Sequence, residues 1–489
     1  MKLSELLCPL PGYKVTGETD IEITDVVYDS RQAIDGCVFF CIKGIQADGH
    51  DYAAAAVERG ARAVVVQHGL ELPKDVTQVS VKDSRDAMAL MSAAFFGNPA
   101  RAMTMVGVTG TNGKTSTTYM VKSILESAGQ KVGLLGTITN MIGDERIHTE
   151  RTTPESVDLH RLLKRMRDEG VHTVVMEVSS HSLKLKRVAG ITFDVAAFTN
   201  LTQDHLDFHG NWEDYFASKK ILFRMCKSAV INLDDAVSQK MVEGRDYPVT
   251  GFGIREQAHV MAQSIEITPR GVRFMLRIGG QTLPVNLRIP GLFSVYNALA
   301  AAGIAHVLGA TANNIITGLE KLQNVSGRFE VLDTHGRDVT VILDYAHSPD
   351  GLDNVLNSIK EFARGRIITM FGCGGDRDRG KRPLMGEIAG RYCDFCVITS
   401  DNPRTEQPMD IINDIIEGMR RTACEYVVIE NRLEAIEYTL KQARNGDVVL
   451  LAGKGHEDYQ EIHGVKFHFN DKEIVEEFYA KLDAGQINE

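Results

Sequence analysis

The sequence predicts an α/β protein with three domains, and three observations support this expectation. The chain has 489 residues, which is too long for a single hydrophobic core. Short, nearly continuous apolar runs alternate with segments of helical periodicity, as in parallel sheets that are covered by helices on both faces. The apolar run that begins at Thr104 leads into a glycine-rich loop and a helix-compatible segment over 117–128. We expect domains over residues 1–99, 100–328 and 329–489.

The first block, residues 1–99, is predicted to form a smaller α/β domain. Apolar runs over 26–28, 37–42 and 63–67 are predicted strands, and the alanine-rich segment 52–59 is a predicted helix. The start of the chain lacks the apolar core of a secretory leader, and no stretch has membrane-spanning length. We therefore expect a cytoplasmic protein.

The second and third blocks both alternate strands with helices, so each is predicted to contain a parallel sheet. The second block is predicted to contain an ATPase-like parallel sheet that carries a phosphate loop. A predicted helix over 295–308 lies near the end of this block. Its predicted strands are 132–135, 173–178, 195–199 and 229–232. The third block has a Rossmann-like alternation with predicted strands at 339–343, 366–371, 395–399 and 448–452.

Composition excludes some function classes. The 54 basic and 65 acidic residues give a net charge of −11, which argues against a nucleic-acid-binding protein. The eight cysteines have no disulfide-framework spacing. Cys393 and Cys396 form a lone C-x-x-C pair, for which buried free thiols are favoured over a metal or redox site.

The glycine-rich loop predicts ATP binding. Glycines let backbone N–H groups face phosphate oxygens, Lys114 supplies a positive charge, and Thr115 offers a hydroxyl to Mg²⁺. The strict phosphate-loop pattern has a glycine where this chain has Val108, so the loop is a variant. The predicted nucleotide-binding residues are Gly110, Thr111, Asn112, Gly113, Lys114, Thr115 and Ser116.

Two polar clusters follow strands of the second block, where ligands collect in open α/β sheets. Glu177 ends one strand and could hold a second Mg²⁺ through its carboxylate oxygens. The segment 199–209 carries two histidines and two carboxylates, and His205 and His209 have the i,i+4 spacing of a zinc pair. Because the H-E-x-x-H pattern is absent, Mg²⁺-nucleotide chemistry is favoured over zinc.

Four charged loops follow predicted strands of the third block. Each could be a surface turn, but the carboxyl ends of parallel strands meet at one edge of a sheet. Arg377 and Arg404 could bind a carboxylate bidentately. The loops lie at 344–349, 372–383, 401–404 and 453–457.

Together these motifs resemble the Mur ligase family over essentially the whole chain. The matching segments are TGTNGKTS at 109–116, EVSSH at 177–181, DHLDFH at 204–209, DYAHSPD at 344–350 and GKGHE at 453–457. The resemblance implies an ATP-dependent amide ligase of peptidoglycan precursor synthesis. Such an enzyme would serve cell-wall biogenesis and thereby cell shape and division.

The resemblance also implies the substrates. The segments 28–31 and 46–49 are similar to the uridine-nucleotide domain of the member that adds the third residue of the stem peptide. The segment 401–404 resembles the version that takes meso-diaminopimelate. The expected substrates are ATP, UDP-MurNAc-L-Ala-D-Glu and meso-diaminopimelate, and the expected oligomeric state is a monomer with no nucleic acid or membrane partner.

By this resemblance, residue roles can be carried over. Lys219 matches the family lysine that reacts with CO₂ to form a carbamate, an anionic ligand for Mg²⁺, although its sequence context alone suggests a solvated helix lysine like Lys220. The implied catalytic residues are Lys114, Glu177, His205 and Lys219, and the implied metal ligands are Thr115, Glu177, His205 and Lys219. Asn297 and Arg328 would lie near the nucleotide. Tyr28 and Ser30 would contact uridine; Thr152, Thr153, Ser179 and Arg187 would hold the muramoyl dipeptide; and Arg377, Asp401, Asn402, Pro403, Arg404, Gly453 and Glu457 would surround diaminopimelate.

Several alternatives stay open at this point. A lysine-adding Mur ligase or a folylpolyglutamate synthetase-like ligase would share the central and last domains, although the Asp29–Arg31 run of the first block argues against the folate enzyme. A scaffold protein that uses the loop without amide chemistry is a third reading. The base that deprotonates the amine could be His181, His205 or His347.

Overall fold

The structure is a computed structural model that describes residues 1–44, 47–202 and 206–487. It has α/β architecture built on separate sheets, so the predicted fold class is confirmed. In the described part of the chain, no helix is both long and apolar enough to cross a membrane.

The first sheet has the strand order β1-β5-β4-β3-β2, with β1 antiparallel to β5 and the other neighbours parallel. Its predicted strands and helix are present, with slightly shorter bounds. The strands are β1 Lys14–Thr16, β2 Val26–Val27, β3 Val38–Phe40, β4 Ala63–Val66 and β5 Thr77–Ser80; the helices are α1 Leu3–Leu7, α2 Ala53–Glu58 and α3 Ser84–Phe95.

The central sheet has the order β16-β15-β14-β13-β12-β11-β6-β10-β7-β8-β9. Its strands are β6 Thr104–Thr109, β7 Val132–Leu135, β8 Asn140–Ile142, β9 Glu145–Ile147, β10 Thr173–Glu177, β11 Val195–Phe198, β12 Ala229–Asn232, β13 Val249–Gly253, β14 Val260–Thr268, β15 Gly271–Ile278 and β16 Gln281–Leu287. Its helices are α4 Lys114–Ser127, α5 Ser156–Asp168, α6 Ser180–Lys184, α7 Leu206–His209, α8 Trp212–Lys220, α9 Ser238–Val242, α10 Leu292–Val307 and α11 Ala312–Lys321.

Only the middle of this sheet is parallel, which differs from the expectation of a wholly parallel sheet. The strands from β14 through β7 pair in parallel, whereas β14-β15-β16 and β7-β8-β9 are antiparallel meanders at the two edges. The second half of β14 alternates between exposed and partly buried residues, because only one face of an edge meander packs on the core. The parallel strands are buried on both faces, between clusters that include Val108 with Ile124 and Met105 with Leu163.

The third sheet has the order β17-β18-β22-β19-β20-β21, and all neighbours except β17 and β18 are parallel. A two-stranded hairpin follows β22. The strands are β17 Glu330–Leu332, β18 Thr340–Asp344, β19 Ile367–Phe371, β20 Phe395–Ile398, β21 Glu425–Val428, β22 Val448–Ala452, β23 Tyr459–Ile462 and β24 Val465–His468; the helices are α12 Pro349–Lys360, α13 Lys381–Tyr392, α14 Pro408–Met419, α15 Arg432–Gln442 and α16 Asp471–Asp483. Cys393, just before β20, and Cys396, within β20, are buried free thiols.

A buried histidine makes the stability of this fold depend on pH. His160 on α5 is 1% exposed, and neither ring nitrogen has a hydrogen-bond partner among the described residues. Burial lowers the pKa of His160 from 6.5 to about 4, so the unfolded chain binds a proton that the folded chain rejects between these values. The contribution of neutral His160 to the free energy of unfolding is therefore fully present above pH 6.5. It is lost as the pH falls toward 4, which lowers the free energy of unfolding by about 3 kcal/mol.

The change His160→Leu removes this titration, so we expect a flatter dependence of the free energy of unfolding on pH over that window. Denaturant unfolding at several pH values measures the slope. His148 is exposed, so His148→Leu is the matched control and should keep the slope of the original protein. Equal slopes for His160→Leu and the original protein would refute the claim that His160 causes this pH dependence.

Candidate active site

The phosphate loop connects the end of β6 to the start of α4. The β6 strand is buried in the middle of the central sheet, which brings Gly110 to the carboxyl edge where ligands bind. Lys114 is the first residue of α4, and its Nζ donates to the carbonyl oxygens of Gly110 and Thr111 over 3.0 and 2.7 Å. The lysine charge and the helix N-terminus thus lie together at the loop, as anion binding requires.

Asn297 on α10 packs against this loop. Gly113 has φ +82°, and a Cβ there would lie 2.2 Å from Asn297 Oδ1. The structure therefore places Asn297 beside the predicted nucleotide site. A glycine is needed at position 113 both for its backbone conformation and for this close approach.

Gly129, at the other end of α4, provides a control for the general cost of alanine at a positive-φ glycine. Gly129 has nearly the same φ, +83°, but nothing lies within 4 Å of its Cβ position. Crowding of the kind expected for Gly113→Ala costs about 1–3 kcal/mol, so ATP affinity should fall by roughly 5- to 150-fold. Calorimetric titration with ATP measures it, with Gly129→Ala as the strain-matched control. Equal ATP affinity in the two variants would contradict the role of the Asn297 contact.

Glu177 lies at the end of β10 and is fully buried. Its carboxylate accepts hydrogen bonds from Thr115 Oγ1 at 2.9 Å, Thr137 Oγ1 at 3.0 Å and the Thr137 N–H at 2.8 Å. A carboxylate and a hydroxyl beside a phosphate loop are oxygen donors of the kind that Mg²⁺ prefers, so these residues fit that ion. The sequence did not single out Thr137.

The zinc interpretation finds no support in the described residues. His209 is engaged by Asp214 through Nδ1 at 2.8 Å and by Ser180 through Nε2 at 2.9 Å. Within the described ranges, no group of three or more His, Cys, Asp or Glu side chains is arranged to hold a metal. His205 lies outside the described residues.

Lys219 is buried at the phosphate loop, which overturns the interpretation of a solvated helix lysine. Its Nζ donates to the Gly110 carbonyl over 2.7 Å and lies 4.5 Å from the centroid of the Tyr215 ring. The hydroxyls of Tyr215 and Thr111 are 3.0 Å apart, which ties α8 to the loop. The side chain of the neighbouring Lys220 is 19% exposed and lies 3.7 Å from Glu243. Because Lys219 and Lys220 are neighbours on α8, their side chains leave the helix in different directions, and only Lys219 lies at the phosphate loop.

The residues predicted to hold the muramoyl dipeptide cluster beside Glu177. Thr153 Oγ1 donates to the Glu177 carbonyl over 2.8 Å, and Arg187 Nη1 donates to the Thr153 carbonyl over 3.0 Å. The Ser179 N–H donates to Thr153 Oγ1 over 3.3 Å, and Thr152 Oγ1 accepts from Thr137. Through Glu177, which accepts from Thr115, this cluster lies next to the phosphate loop.

The two residues predicted to contact uridine lie in the first block, residues 1–99. The Tyr28 hydroxyl donates to Asp158 Oδ2 of α5 over 2.6 Å, and burial with this carboxylate raises the pKa of the phenol. Ser30 begins the short 3₁₀ helix Ser30–Gln32. Tyr28 therefore links the first block to α5 of the central block.

The four charged loops of the third sheet meet at its carboxyl edge. The Gly453 N–H donates to the Asp344 carbonyl over 3.1 Å, and the Gly375 N–H donates to the Asn402 carbonyl over 2.9 Å. Asn402 Nδ2 donates to Glu457 Oε2 over 2.9 Å. Pro403 is also part of this contact, because a Cβ on Gly375 would lie 1.9 Å from the Pro403 carbonyl oxygen.

A buried lysine that sequence reasoning did not select holds these loops together. Lys454 is fully buried, and its Nζ lies 3.2 Å from Asp401 Oδ1 and donates to Asn402 Oδ1 over 2.9 Å. Burial opposes ionisation of Asp401, but the charges of Lys454 and Arg432 and the hydrogen bond from Lys454 together outweigh it, so the pKa of that carboxyl is lowered. Burial and the Asp401 charge raise the pKa of Glu457. The GKGHE motif contained the signal, since its lysine lies between two predicted site residues.

The predicted arginines have different surroundings. Arg377 is exposed and donates only to the adjacent Asp376 carbonyl within the described residues, whereas the Arg404 side chain is 18% exposed. Both approach Gly374, whose Cβ position is 2.9 Å from Arg404 Nη1 and 3.9 Å from Arg377 Cγ. The Arg328 guanidinium stacks 4.7 Å above the Tyr345 ring.

Two hydrogen bonds to Asp350 join the region of the phosphate loop to the third block, residues 329–489. Asn112 Nδ2 donates to Asp350 Oδ2 over 2.9 Å, and Thr202 Oγ1 donates to the same oxygen over 2.7 Å. Asp350 lies in the first turn of α12 and is the last residue of the DYAHSPD segment. The structure thus brings the candidate nucleotide site next to the loops of the third sheet.

Comparison with known proteins shows which family the chain belongs to. Residues 22–96 match the Mur ligase family catalytic domain, 108–305 the Mur ligase middle domain, and 327–455 the Mur ligase glutamate ligase domain. The chain is 50% identical over 484 residues to a protein of Caldanaerobacter subterraneus subsp. tengcongensis named UDP-N-acetylmuramoyl-L-alanyl-D-glutamate–2,6-diaminopimelate ligase, which covers 99% of this chain and 100% of the relative. The chain belongs to the Mur ligase family.

Other members of the Mur ligase family extend this result. A 2,6-diaminopimelate ligase of Clostridium acetobutylicum is 46% identical over 484 residues, covering 99% of this chain and 100% of the relative. A solved structure of a UDP-N-acetylmuramoyl-L-alanyl-D-glutamate–2,6-diaminopimelate ligase is 30% identical, with a TM-score of 0.72 and full coverage of both chains. This full-length similarity does not favour the folylpolyglutamate synthetase-like alternative.

Proposed function

We propose that this Mur ligase joins meso-diaminopimelate to UDP-MurNAc-L-Ala-D-Glu and converts ATP to ADP and phosphate. The observation that carries the proposal is the 50% identity, over nearly the whole chain, to a ligase named for this reaction. The loop Asp401–Arg404 supports the choice of amino acid, because a guanidinium can bind the carboxylate that diaminopimelate has and lysine lacks. We place the reaction in the cytoplasm and expect a monomer.

In the first half of the reaction, an oxygen of the D-glutamyl carboxylate attacks the γ-phosphorus of ATP. An acyl phosphate forms and ADP leaves. Both reactants are anionic, so Lys114 and the backbone N–H groups at the start of α4 reduce their repulsion. Thr152, Thr153, Ser179 and Arg187 would hold the dipeptide with its carboxylate toward the loop. Effective molarities from such positioning are worth roughly 7–11 kcal/mol.

Mg²⁺ would be held by Thr115, Glu177, His205 and the carbamate form of Lys219. Bound there, the ion supplies charge stabilisation to the transferring phosphoryl group. As an ammonium group, Lys219 has no lone pair with which to ligate a cation, whereas a carbamate formed on its Nζ, which lies beside Gly110, would present anionic oxygens there. Its burial among loop atoms is the observation that supports this role.

In the second half, the amine of diaminopimelate attacks the acyl carbon and phosphate leaves the tetrahedral intermediate. The loops with Arg377, Asp401–Arg404, Gly453 and Glu457 would orient the amino acid. The amine must lose a proton, and His181, His205 and His347 stay open as its acceptor. The hydrogen bond from Asn112 to Asp350, which follows one of the four charged loops, supports this approach of the third block to the phosphate loop.

The three blocks divide these tasks. We propose that residues 1–99 bind the uridine part through Tyr28 and Ser30. Residues 100–328 would bind ATP, with Asn297 and Arg328 near the nucleotide. Residues 329–489 would bind diaminopimelate. The product would enter cell-wall biogenesis, on which cell shape and division depend.

The deciding experiment measures phosphate release with UDP-MurNAc-L-Ala-D-Glu, ATP and Mg²⁺, and compares meso-diaminopimelate with L-lysine. We expect release and a tripeptide product by mass spectrometry with diaminopimelate alone. Turnover with lysine would keep the ligase chemistry but assign the chain to the lysine-adding branch. No turnover with either amine would refute the proposal in favour of the scaffold reading.

A further inference from the structure

Arg404 is held on two sides by groups outside its own loop. Its Nε donates to Glu461 Oε2 over 3.1 Å, and its Nη1 donates to the Gly375 carbonyl over 2.7 Å. The Gly374 backbone lies so close that a Cβ there would be 2.9 Å from Nη1. Because a guanidinium is planar, fixing Nε and Nη1 fixes the direction of Nη2 as well.

Glu461 is itself placed by backbone contacts. Residue 461 lies in β23, and Arg404 forms an isolated parallel bridge with the next residue, Ile462. The Arg404 N–H donates to the Glu461 carbonyl over 3.1 Å, and the His463 N–H donates to the Arg404 carbonyl over 2.8 Å. The Glu461 N–H donates to Asn402 Oδ1 over 2.9 Å. The Glu461 carboxylate therefore approaches Arg404 from a strand, β23, whose backbone is already hydrogen-bonded to residue 404.

The contacts leave one side of the guanidinium available. Among the described residues, Nη2 of Arg404 has no hydrogen-bond partner, although the side chain is only 18% exposed and that of Glu461 only 24%. A fork that is held at Nε and Nη1 presents its remaining N–H groups in a fixed direction. Such preorganisation strengthens recognition of a planar carboxylate, because less side-chain freedom is lost on binding.

We propose that Glu461 is a positioning residue that aims the Nη2 side of Arg404 at the side-chain carboxylate of the amino-acid substrate. This inference rests on the proposed function, in which that amino acid is diaminopimelate. Glu461 lies beyond the GKGHE motif, in the hairpin that follows it, and sequence reasoning did not select it. It acts on the substrate only through Arg404.

Steady-state kinetics of Glu461→Ala and Glu461→Gln test the proposal, with diaminopimelate varied at saturating ATP and UDP-MurNAc-L-Ala-D-Glu. Loss of a positioning contact of this kind costs roughly 10- to 100-fold, and in Glu461→Ala we expect this cost as a rise in KM for diaminopimelate, with KM for ATP unchanged. Glu461→Gln keeps an oxygen that accepts from Nε, so its KM should stay within about threefold of the original value. Glu473 is exposed and pairs with His468, so Glu473→Ala is the control that should change nothing. A lower KM in Glu461→Ala would overturn the proposal, because Glu461 would then compete with the substrate for Arg404.

A double-mutant cycle distinguishes positioning from a general structural role. In an Arg404→Ala background, Glu461→Ala should raise KM no further, since its target is gone. Additive increases would overturn the proposal. Failure of the original protein to use diaminopimelate, or an unchanged KM in Arg404→Ala, would instead refute the proposed function or the role of Arg404. A raised KM in Arg404→Ala with no change in Glu461→Ala would refute the positioning role alone.

Discussion

Replacement of Lys219 by alanine is expected to lower kcat by about 10²- to 10³-fold while leaving the fold intact. The physical reason is the position of Nζ, buried at the phosphate loop and 2.7 Å from the Gly110 carbonyl. If the amine carries a carbamate, its removal deletes an anionic ligand at the phosphoryl-transfer site. Phosphate release under saturating substrates measures the change, and added formate or acetate should restore part of the activity by supplying a carboxylate in its place.

Lys220→Ala provides the matched control for this experiment. It removes the same side chain one position along α8, where the partly buried Lys220 lies 3.7 Å from Glu243. We expect kcat to stay at the original value. Full activity in Lys219→Ala would rule out any catalytic role for this lysine. Inactivity that short carboxylates do not relieve would argue against the carbamate.

Arg404→Ala is expected to raise KM for diaminopimelate far more than KM for ATP. Loss of a charged partner for a partly desolvated carboxylate costs on the order of 2–5 kcal/mol, which corresponds to roughly 30-fold to several-thousand-fold. Glu461 already compensates part of the guanidinium charge, so we expect the lower part of this range. Preference for diaminopimelate over lysine should fall by a similar factor, because lysine never made the lost contact.

The measurement is kcat/KM for both amino acids with the same enzyme preparations. Arg391 on α13 is exposed and pairs with Glu387, so Arg391→Ala tests the loss of an arginine away from the site. We expect that control to match the original protein. An unchanged KM for diaminopimelate in Arg404→Ala would remove the arginine from the binding site.

The parts of the fold that the sequence predicted are those in which burial leaves a simple pattern. The strands β7, β10 and β12 are buried throughout, and such strands form continuous apolar runs that can be recognised without an alignment. The strands β15 and β16 were not predicted. They mix buried and exposed residues at the edge of the sheet, where polar and apolar side chains alternate less regularly.

The candidate site was predictable where motifs follow strands. The phosphate loop and the four loops of the third sheet lie at carboxyl edges, as their positions after apolar runs indicated. Residues that act through tertiary contacts left weaker signals. Asp350 and Lys454 lay inside recognised segments, but only the fold shows that they join loops. Glu461 approaches Arg404 from 57 residues away, and no local pattern could report that distance.

In the third sheet, the residues that stabilise the fold and the residues proposed to bind the amino acid occupy largely different positions, because the four loops lie at the carboxyl edge. The packing core of that unit is formed by strand residues such as Ile398 and Leu450, which are fully buried, while the four loops begin only where the strands end. The exposed loop residues, such as Arg377, can therefore change without disturbing the packing that keeps the sheet folded, whereas buried ones such as Cys373 and Lys454 cannot. Evolution could therefore change which amino acid is bound through substitutions at the exposed loop positions, while the buried strands continue to stabilise the domain.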